Sequence, residues 1–202
     1  MVILASQSAS RRAMLEAACV PFRAEAAGVD EEAAKQAFLM DGLDGRGLDG
    51  RGLADALAEL KAVKVSRRHP DALVLGCDST VQAADGSLLD KAGSRDEARA
   101  QLLGLAGTTH RLSSAAVVAL GGQPIWRHVD VAKMTMRPFS EAFLDGYLEA
   151  EWPAIGGCVG GYRIEGLGAQ LFARIEGSQF TIMGLPLLPL LDWLRTRGVI
   201  PA

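Results

Sequence analysis

Cysteines are few in this 202-residue sequence, aromatic side chains make up only 5% of it, and neither sign of charge dominates. The three cysteines, Cys19, Cys77 and Cys158, are odd in number and far apart, so they fit neither a disulfide framework nor a zinc site. This cysteine usage fits a reducing cytoplasm. The 21 basic and 24 acidic residues give a net charge of −3. We therefore expect neither a nucleic acid nor a membrane as a partner.

Long apolar runs and several common catalytic signatures are also missing. The apolar stretch 182–194 is shorter than the ~20 residues that cross a bilayer. It contains Pro186 and Asp192, so we interpret it as a buried helix. In residues 1–12 the basic residues follow the apolar run, which is not the order of a signal peptide. The sequence has no P-loop and no Gly-x-Ser-x-Gly elbow.

The apolar pattern predicts a compact α/β protein with one domain over residues 1–202, since 49% of the residues are hydrophobic. Strands are predicted over residues 2–5, 22–26, 72–77, 80–84, 87–89, 111–120, 124–136, 169–175 and 179–183. Helices are predicted through Met14, Leu15 and Ala18, and over residues 30–40, 53–68, 94–105, 140–150 and 187–197. Turns at Asp85-Gly86 and Gly121-Gly122 predict hairpins, which favour a mixed β-sheet with flanking helices.

A tandem Gly-Leu-Asp-Gly-Arg repeat occupies residues 42–52. Its glycine and charge content predicts a flexible loop. Its spacing matches no known calcium loop.

Asp78 is the sharpest single candidate for chemistry. It follows the apolar run 72–77, which predicts a carboxylate at the end of a buried strand. Ligands of open α/β sheets bind at such ends. There a carboxylate can hold Mg²⁺ or take a proton from water as a general base. An ordinary cap of the next turn explains the position equally well.

A hydroxyl-rich turn with two arginines gives a second candidate site. Ser6 and Ser8 precede a predicted helix, and hydroxyls and backbone N–H groups at a helix start can bind an anion. Arg11 and Arg12 add fixed charge suited to phosphate oxygens. Helix capping beside two solvated arginines is the more frequent origin of such a pattern.

Two lysines and one glutamate complete the candidates. Lys61 lies beside the apolar stripe of the helix predicted over 53–68, and Lys91 follows a predicted strand. Each is ordinary alone, but with the arginines they could bind a triphosphate. Glu31 is either a second metal carboxylate or a first-turn helix charge. His69, His110 and His128 are isolated and are predicted to be surface or strand residues without a catalytic role.

Together these segments resemble the Maf family of nucleotide pyrophosphatases, the septum-formation-inhibitor-like proteins. The resemblance runs in the family's order from Val2 to about Arg197. It is carried by Ser6-Gln7-Ser8 with Arg11-Arg12, Glu59-Leu60-Lys61-Ala62, Gly76-Cys77-Asp78-Ser79, Lys91, Gly107-Thr108-Thr109-His110 and Gly184-Leu185-Pro186-Leu187.

The resemblance implies an elongated, two-lobed fold around a central cleft. It implies that water attacks the α-phosphorus of a nucleoside triphosphate, releasing the monophosphate and pyrophosphate, with Asp78 as the base. A divalent cation, Mg²⁺ or Mn²⁺, is implied as cofactor, with Asp78 and Glu31 as its carboxylates. The substrate-binding residues are then Ser6, Ser8, Arg11, Arg12, Lys61 and Lys91. A homodimer is a possible assembly.

The chain departs from the family pattern at three places. Ala9 replaces the proline of Ser-Pro-Arg-Arg, and Asp90-Lys91-Ala92 replaces Gly-Lys-Pro. Gly157-Cys158 replaces an Asp-Lys pair found in many members. The lost pair motivates an alternative, a nucleotide-binding regulator of septum formation with little catalysis. A general phosphate-ester hydrolase is a third alternative.

Three positions are associated with substrate choice in the family, and here they are Ser10, Ser79 and Glu165. The branch acting on pyrimidine nucleotides has Arg, Thr and Gln there, and the 7-methyl-GTP branch has Trp, Gln and Glu. Glu165 therefore leans toward a guanine-type substrate, because a carboxylate accepts from both N1–H and the 2-amino group. The two serines match neither branch.

Overall fold

The computed structural model describes residues 1–41 and 49–202 and contains a seven-stranded mixed sheet in the order β2-β1-β3-β5-β6-β7, with β4 also paired to β3. The strands are β1 (Val2–Leu4), β2 (Phe22–Ala24), β3 (Leu73–Gln82), β4 (Leu88–Leu89), β5 (Thr109–Leu120), β6 (Gln123–Met136) and β7 (Phe172–Glu176). β1 pairs in parallel with β2 and β3, and the remaining pairs are antiparallel. The predicted mixed α/β sheet is confirmed.

Helices flank this sheet, and several begin where the sequence places a hydroxyl cap. In the described ranges they are α1 (Ala9–Ala17), α2 (Glu31–Asp41), α3 (Gly50–Ser66), α4 (Arg95–Leu105), α5 (Glu141–Glu151), α6 (Gln179–Ile182) and α7 (Leu187–Thr196). Ser8, Ser94 and Ser140 each accept a backbone N–H at the start of α1, α4 and α5. Such caps satisfy amides that have no partner inside the helix. None of the helices described is long and apolar enough to cross a membrane.

Strand β3 changes its neighbours along its length. Its first residues pair in parallel with β1, from Leu73 to Leu75, and its last pair with β4 from Val81. Its other edge pairs with β5 over Val74 to Gln82. Between Leu75 and Val81, one edge of β3 is therefore left unpaired within the described part of the chain. A ligand can approach the strand there.

Side chains of β3 alternate between the two faces of the sheet. On one face α3 packs its Ala54, Ala58 and Ala62 against small residues of β5. A Cβ at Gly76 would lie 2.2 Å from the carbonyl oxygen of Ala58, so glycine permits this close approach. On the other face Leu75 packs in the core beneath α1 and α7. Asp78 thus shares its face with α3.

Four segment predictions are wrong. Residues 179–183 do not form the predicted strand, since Gln179–Ile182 form helix α6 and Met183 is its C-cap. Ser178 accepts the N–H of Phe180 at the helix start, and Gly177, at φ +135°, ends β7. Residues 50–52 belong to α3, whose Asp49 cap accepts from Gly52 N at 2.8 Å. The rest of the predicted 42–52 loop, residues 42–48, lies outside the described residues. Residues 169–171 form a 3₁₀ turn before β7.

The fourth error concerns Asp78, which does not end its strand. β3 runs on to Gln82 because residues 76–82 continue to pair with β5. The open edge beside Asp78 therefore arises because β1 ends: its last residue paired with β3 is Leu4.

Close packing of α3 on β3 predicts that Gly76→Ala destabilises the fold by about 3 kcal/mol, since the clash is with backbone atoms. Urea unfolding measures the change. Gly104→Ala is the matched control, because Gly104 lies in α4 with nothing within 4 Å of its added Cβ. That change should stabilise by up to about 1 kcal/mol. Equal stability of the two variants would contradict the packing argument.

Candidate functional site

A cleft of about 750 Å³ opens along the unpaired edge of β3. Its walls come from the β1–α1 turn, the 26–31 segment, α3, the 154–165 segment and the turn after α6. The volume lies in the range of small-molecule sites, roughly 300–1,000 Å³. Residues far apart in the chain therefore meet in one place suited to a nucleotide-sized ligand.

Asp78 and Lys61 form the buried centre of this cleft. Lys61 Nζ lies 2.6 Å from Asp78 Oδ1 and 2.6 Å from Glu31 Oε1. Lys61 is only 6% exposed and Asp78 only 7%. Glu31 Oε2 in turn lies 3.3 Å from Lys91 Nζ at the mouth of the cleft. Four charged candidates from α2, α3, β3 and the segment after β4 are thus joined in one alternating chain.

The chain of charges keeps Glu31 ionised. Burial by itself would raise the pKa of this carboxyl group, but the hydrogen bond and charge of Lys61, followed by those of Lys91, outweigh burial. The pKa is lowered from 4.5 to about 2. The ion pairs of Glu31 are therefore complete above pH 4.5, and they are lost as the pH falls through about 2.

Arg11 fastens the walls of the cleft to one another. It donates to Gly184 O at 2.7 Å, to Cys77 O at 3.1 Å and to Ser79 Oγ at 3.0 Å. A longer contact of 3.3 Å reaches Ser6 Oγ. Most of the guanidinium N–H groups are thus used inside the protein.

Arg12 does not join Arg11 in the cleft. It is exposed and lines a separate shallow depression with Glu25. Ser6 and Ser8 do line the cleft. The structure thus brings together every predicted substrate-binding residue except Arg12.

Comparison with known proteins identifies the family of this chain. A family model described as Maf-like protein matches residues 1–197. The chain belongs to the Maf family. It is 54% identical over 199 residues to a nucleoside triphosphate pyrophosphatase of Caulobacter vibrioides, covering 98% of this chain and 96% of the relative. It is 50% identical over 200 residues to one of Sphingopyxis alaskensis, covering 99% and 98%. The resemblance seen in the motifs is confirmed.

Ser79 and Ser10, two of the positions that the family resemblance associates with substrate choice, are hydroxyls whose protons are already used. Ser114 donates to Thr181 O at 2.7 Å, so its 2.8 Å contact with Ser79 must be a bond that Ser79 donates. Ser10 likewise donates to Met183 O at 3.1 Å. Toward a ligand, both Ser79 and Ser10 can therefore only accept.

Glu165, the third position predicted to affect substrate choice, is exposed and lines the cleft. Cys158 lines the same region, where burial, then the charge of Glu165, raises the pKa of its thiol. Ionised carboxylates only accept hydrogen bonds. Ser10, Ser79 and Glu165 thus all offer hydrogen-bond acceptors.

Sequence reasoning missed Glu151 and Arg163, which lie behind Glu165, and Tyr162, which lines the cleft. Their spacing in the chain gave no signal, because Glu151 belongs to the preceding helix. His110 lies in a strand, as predicted, but is buried and bonds Tyr162 OH at 2.8 Å. Burial lowers the pKa of His110 to about 4.

The carboxylates of the cleft fit a divalent cation. Asp78 and Glu31 converge on one ammonium group, so their oxygens can share one cation. Lys61 is the only protein donor to Asp78 in the described ranges, and it contacts Oδ1. Those ranges contain no group of three or more His, Cys, Asp or Glu side chains that could hold a metal. Mg²⁺ is commonly held by one or two carboxylates plus phosphates and waters, which matches this pair.

Removing the shared ammonium group should raise the pKa of Glu31. We expect Lys61→Met to move that pKa from about 2 toward 4.5, because the main favourable partner is lost. NMR titration of the carboxyl carbon measures the change. Lys64→Met is the control, since among the residues that the structure describes Lys64 contacts Gly28 O and no carboxylate. An unchanged titration in Lys61→Met would contradict the network.

Proposed function

We propose that this chain hydrolyses a nucleoside triphosphate to the monophosphate and pyrophosphate, with Asp78 as general base. The observation that carries the proposal is the buried Asp78–Lys61 pair in a nucleotide-sized cleft. Lys61 fixes Oδ1 of Asp78. Asp78 lines the cleft, and its Oδ2 has no hydrogen-bond partner among the described residues, so this oxygen can accept a proton from water. The names of the relatives support cleavage of a phosphoric anhydride bond.

The triphosphate needs neutralising charge and an oriented nucleophile. Lys91 lies at the cleft mouth, half exposed, and can bind phosphate oxygens. Ser6 and Ser8 line the start of α1, where hydroxyls and helix N–H groups face an anion favourably. Arg11 acts mainly by holding these walls in place.

Asp78 and Glu31 are the residues we assign to a bound Mg²⁺ or Mn²⁺. When bound, such a cation neutralises phosphate charge and favours the ionised form of nearby water. Lys61 holds both carboxylates in place for this role.

The acceptor-only character of the specificity positions supports a guanine-type base, such as that of 7-methyl-GTP. Glu165 can accept from N1–H and the 2-amino group together, and a cationic methylated ring favours a carboxylate further. Ser10 and Ser79 add no donor that would suit a base edge rich in acceptors.

We place this activity in the cytoplasm. All three cysteines are free thiols, which suits the cytoplasm. The nucleotide is the proposed partner, without nucleic acid or membrane, since the net charge is −3. A homodimer remains compatible with this activity.

Replacing the base tests the reaction. Asp78→Asn should lower pyrophosphate release roughly 10²–10⁴-fold, because asparagine cannot take the proton. Pyrophosphate and orthophosphate are measured separately across a panel of triphosphates with Mg²⁺ or Mn²⁺. Asp192→Asn is the matched control and should keep full activity, because Asp192 lies on the exposed side of α7 and outside the cleft lining.

Three outcomes would contradict this assignment. Near-wild-type turnover in Asp78→Asn would remove Asp78 as the base. Tight nucleotide binding by the wild type without any turnover would favour the regulator of septum formation instead. Orthophosphate release from monophosphates would favour the phosphate-ester hydrolase.

Base selection has its own test. Glu165→Gln should lower kcat/KM for guanine-type nucleotides roughly 10- to 100-fold, because one acceptor becomes a donor. Values for pyrimidine nucleotides should change far less. Glu176→Gln, at the end of β7 and outside the cleft lining, is the control. An equal loss for both bases would argue against base reading.

A further inference from the structure

The segment that presents Glu165 is fastened at both ends by one buried carboxylate. Glu151, the last residue of α5, is 6% exposed. Its Oε2 lies 2.9 Å from Arg163 Nε and 2.7 Å from Arg163 Nη2. Its Oε1 accepts the backbone N–H of Leu167 at 3.0 Å. We call residues 163–168 the base loop.

We infer that Glu151 is a positioning residue that clamps the base loop and thereby holds Glu165 toward the nucleotide base. This inference rests on the proposed function for the role of Glu165. Glu165 lies midway between the two clamped positions, Arg163 and Leu167. Its own side chain has no hydrogen bond or ion pair with other described residues and faces the cleft. Its direction is therefore set by the backbone of the loop.

Two glycines make room for the clamp. A Cβ at Gly166 would lie 2.9 Å from Glu151 Oε1. A Cβ at Gly168 would lie 2.4 Å from the carbonyl oxygen of Arg163. The loop can close around the carboxylate only because both side chains are missing. A loop fixed before binding loses little conformational freedom when the base binds, which favours affinity.

The variant Glu151→Gln distinguishes a role in hydrogen bonding from a role in filling space, because glutamine has nearly the same volume as glutamate. A carboxylate accepts at both oxygens, whereas an amide offers one acceptor and one donor group. In Glu151→Gln, either Arg163 or the Leu167 N–H must face an NH₂ group and lose its partner. The volume is nearly unchanged, so the fold should be retained while one end of the loop is released.

Steady-state kinetics test whether Glu151 affects binding of the nucleotide base. We expect Glu151→Gln to raise KM for the preferred nucleotide roughly tenfold while kcat stays within about twofold, because the lost order affects binding of the base. Inorganic tripolyphosphate, which has no base, should inhibit the variant and the wild type equally. Glu149→Gln is the control on the same helix, since its side chain is 78% exposed and pairs with Arg95 at the surface.

A second variant keeps the test decisive if Glu151→Gln folds poorly. Arg163→Met removes one end of the clamp and should shift KM in the same direction. The double variant should be no worse than the stronger single one, because both break one interaction. An equal loss of affinity for nucleotide and tripolyphosphate would mean a general structural role and would overturn the inference.

Amide hydrogen exchange of residues 164–168 tests whether Glu151 restrains the base loop, independently of catalytic activity. Faster exchange in Glu151→Gln than in the wild type and Glu149→Gln is expected. Unchanged exchange would overturn the clamp, whatever the activity. Absence of pyrophosphate release by the wild type would instead overturn the proposed function, and with it the base-reading part of this inference.

Discussion

The cleft depends on one buried ammonium group. Lys61 lies between Asp78 and Glu31 at 2.6 Å from each, almost fully removed from water. A charge in such a place requires partners, and losing one partner of a buried ion pair is strongly destabilising, typically by about 3–5 kcal/mol. The three side chains therefore fix one another, and α2, α3 and β3 with them.

A second constraint is the pairing of β3. Where β1 ends and β4 has not begun, the strand has one open edge, and Asp78 lies within that interval. Backbone pairing with β5 continues there, so the strand stays rigid while one side remains accessible. This combination places a carboxylate on a firm support beside open space, which suits a catalytic group.

Rigidity also extends to the two ends of the cleft. Arg11, in the first turn of α1, joins that helix to Gly184 and to β3 through three hydrogen bonds. Glu151 does the same for the loop that carries Glu165. Two parts of the cleft wall are thus each held by one charged side chain that bonds to separate segments.

The sequence by itself determined the mixed α/β class and most elements, and it predicted Asp78, Lys61, Lys91 and Glu31 as candidate site residues, which meet in one cleft. Apolar periodicity, caps and glycine turns act locally and are therefore readable in the chain. It missed the helical state of residues 179–182, the length of β3 and the separation of Arg11 from Arg12. Only the tertiary structure decided which charges pair, which hydroxyl protons are already used and that Glu151 bonds to both sides of the segment carrying Glu165. These depend on contacts between residues remote in sequence, whose distances local patterns do not encode.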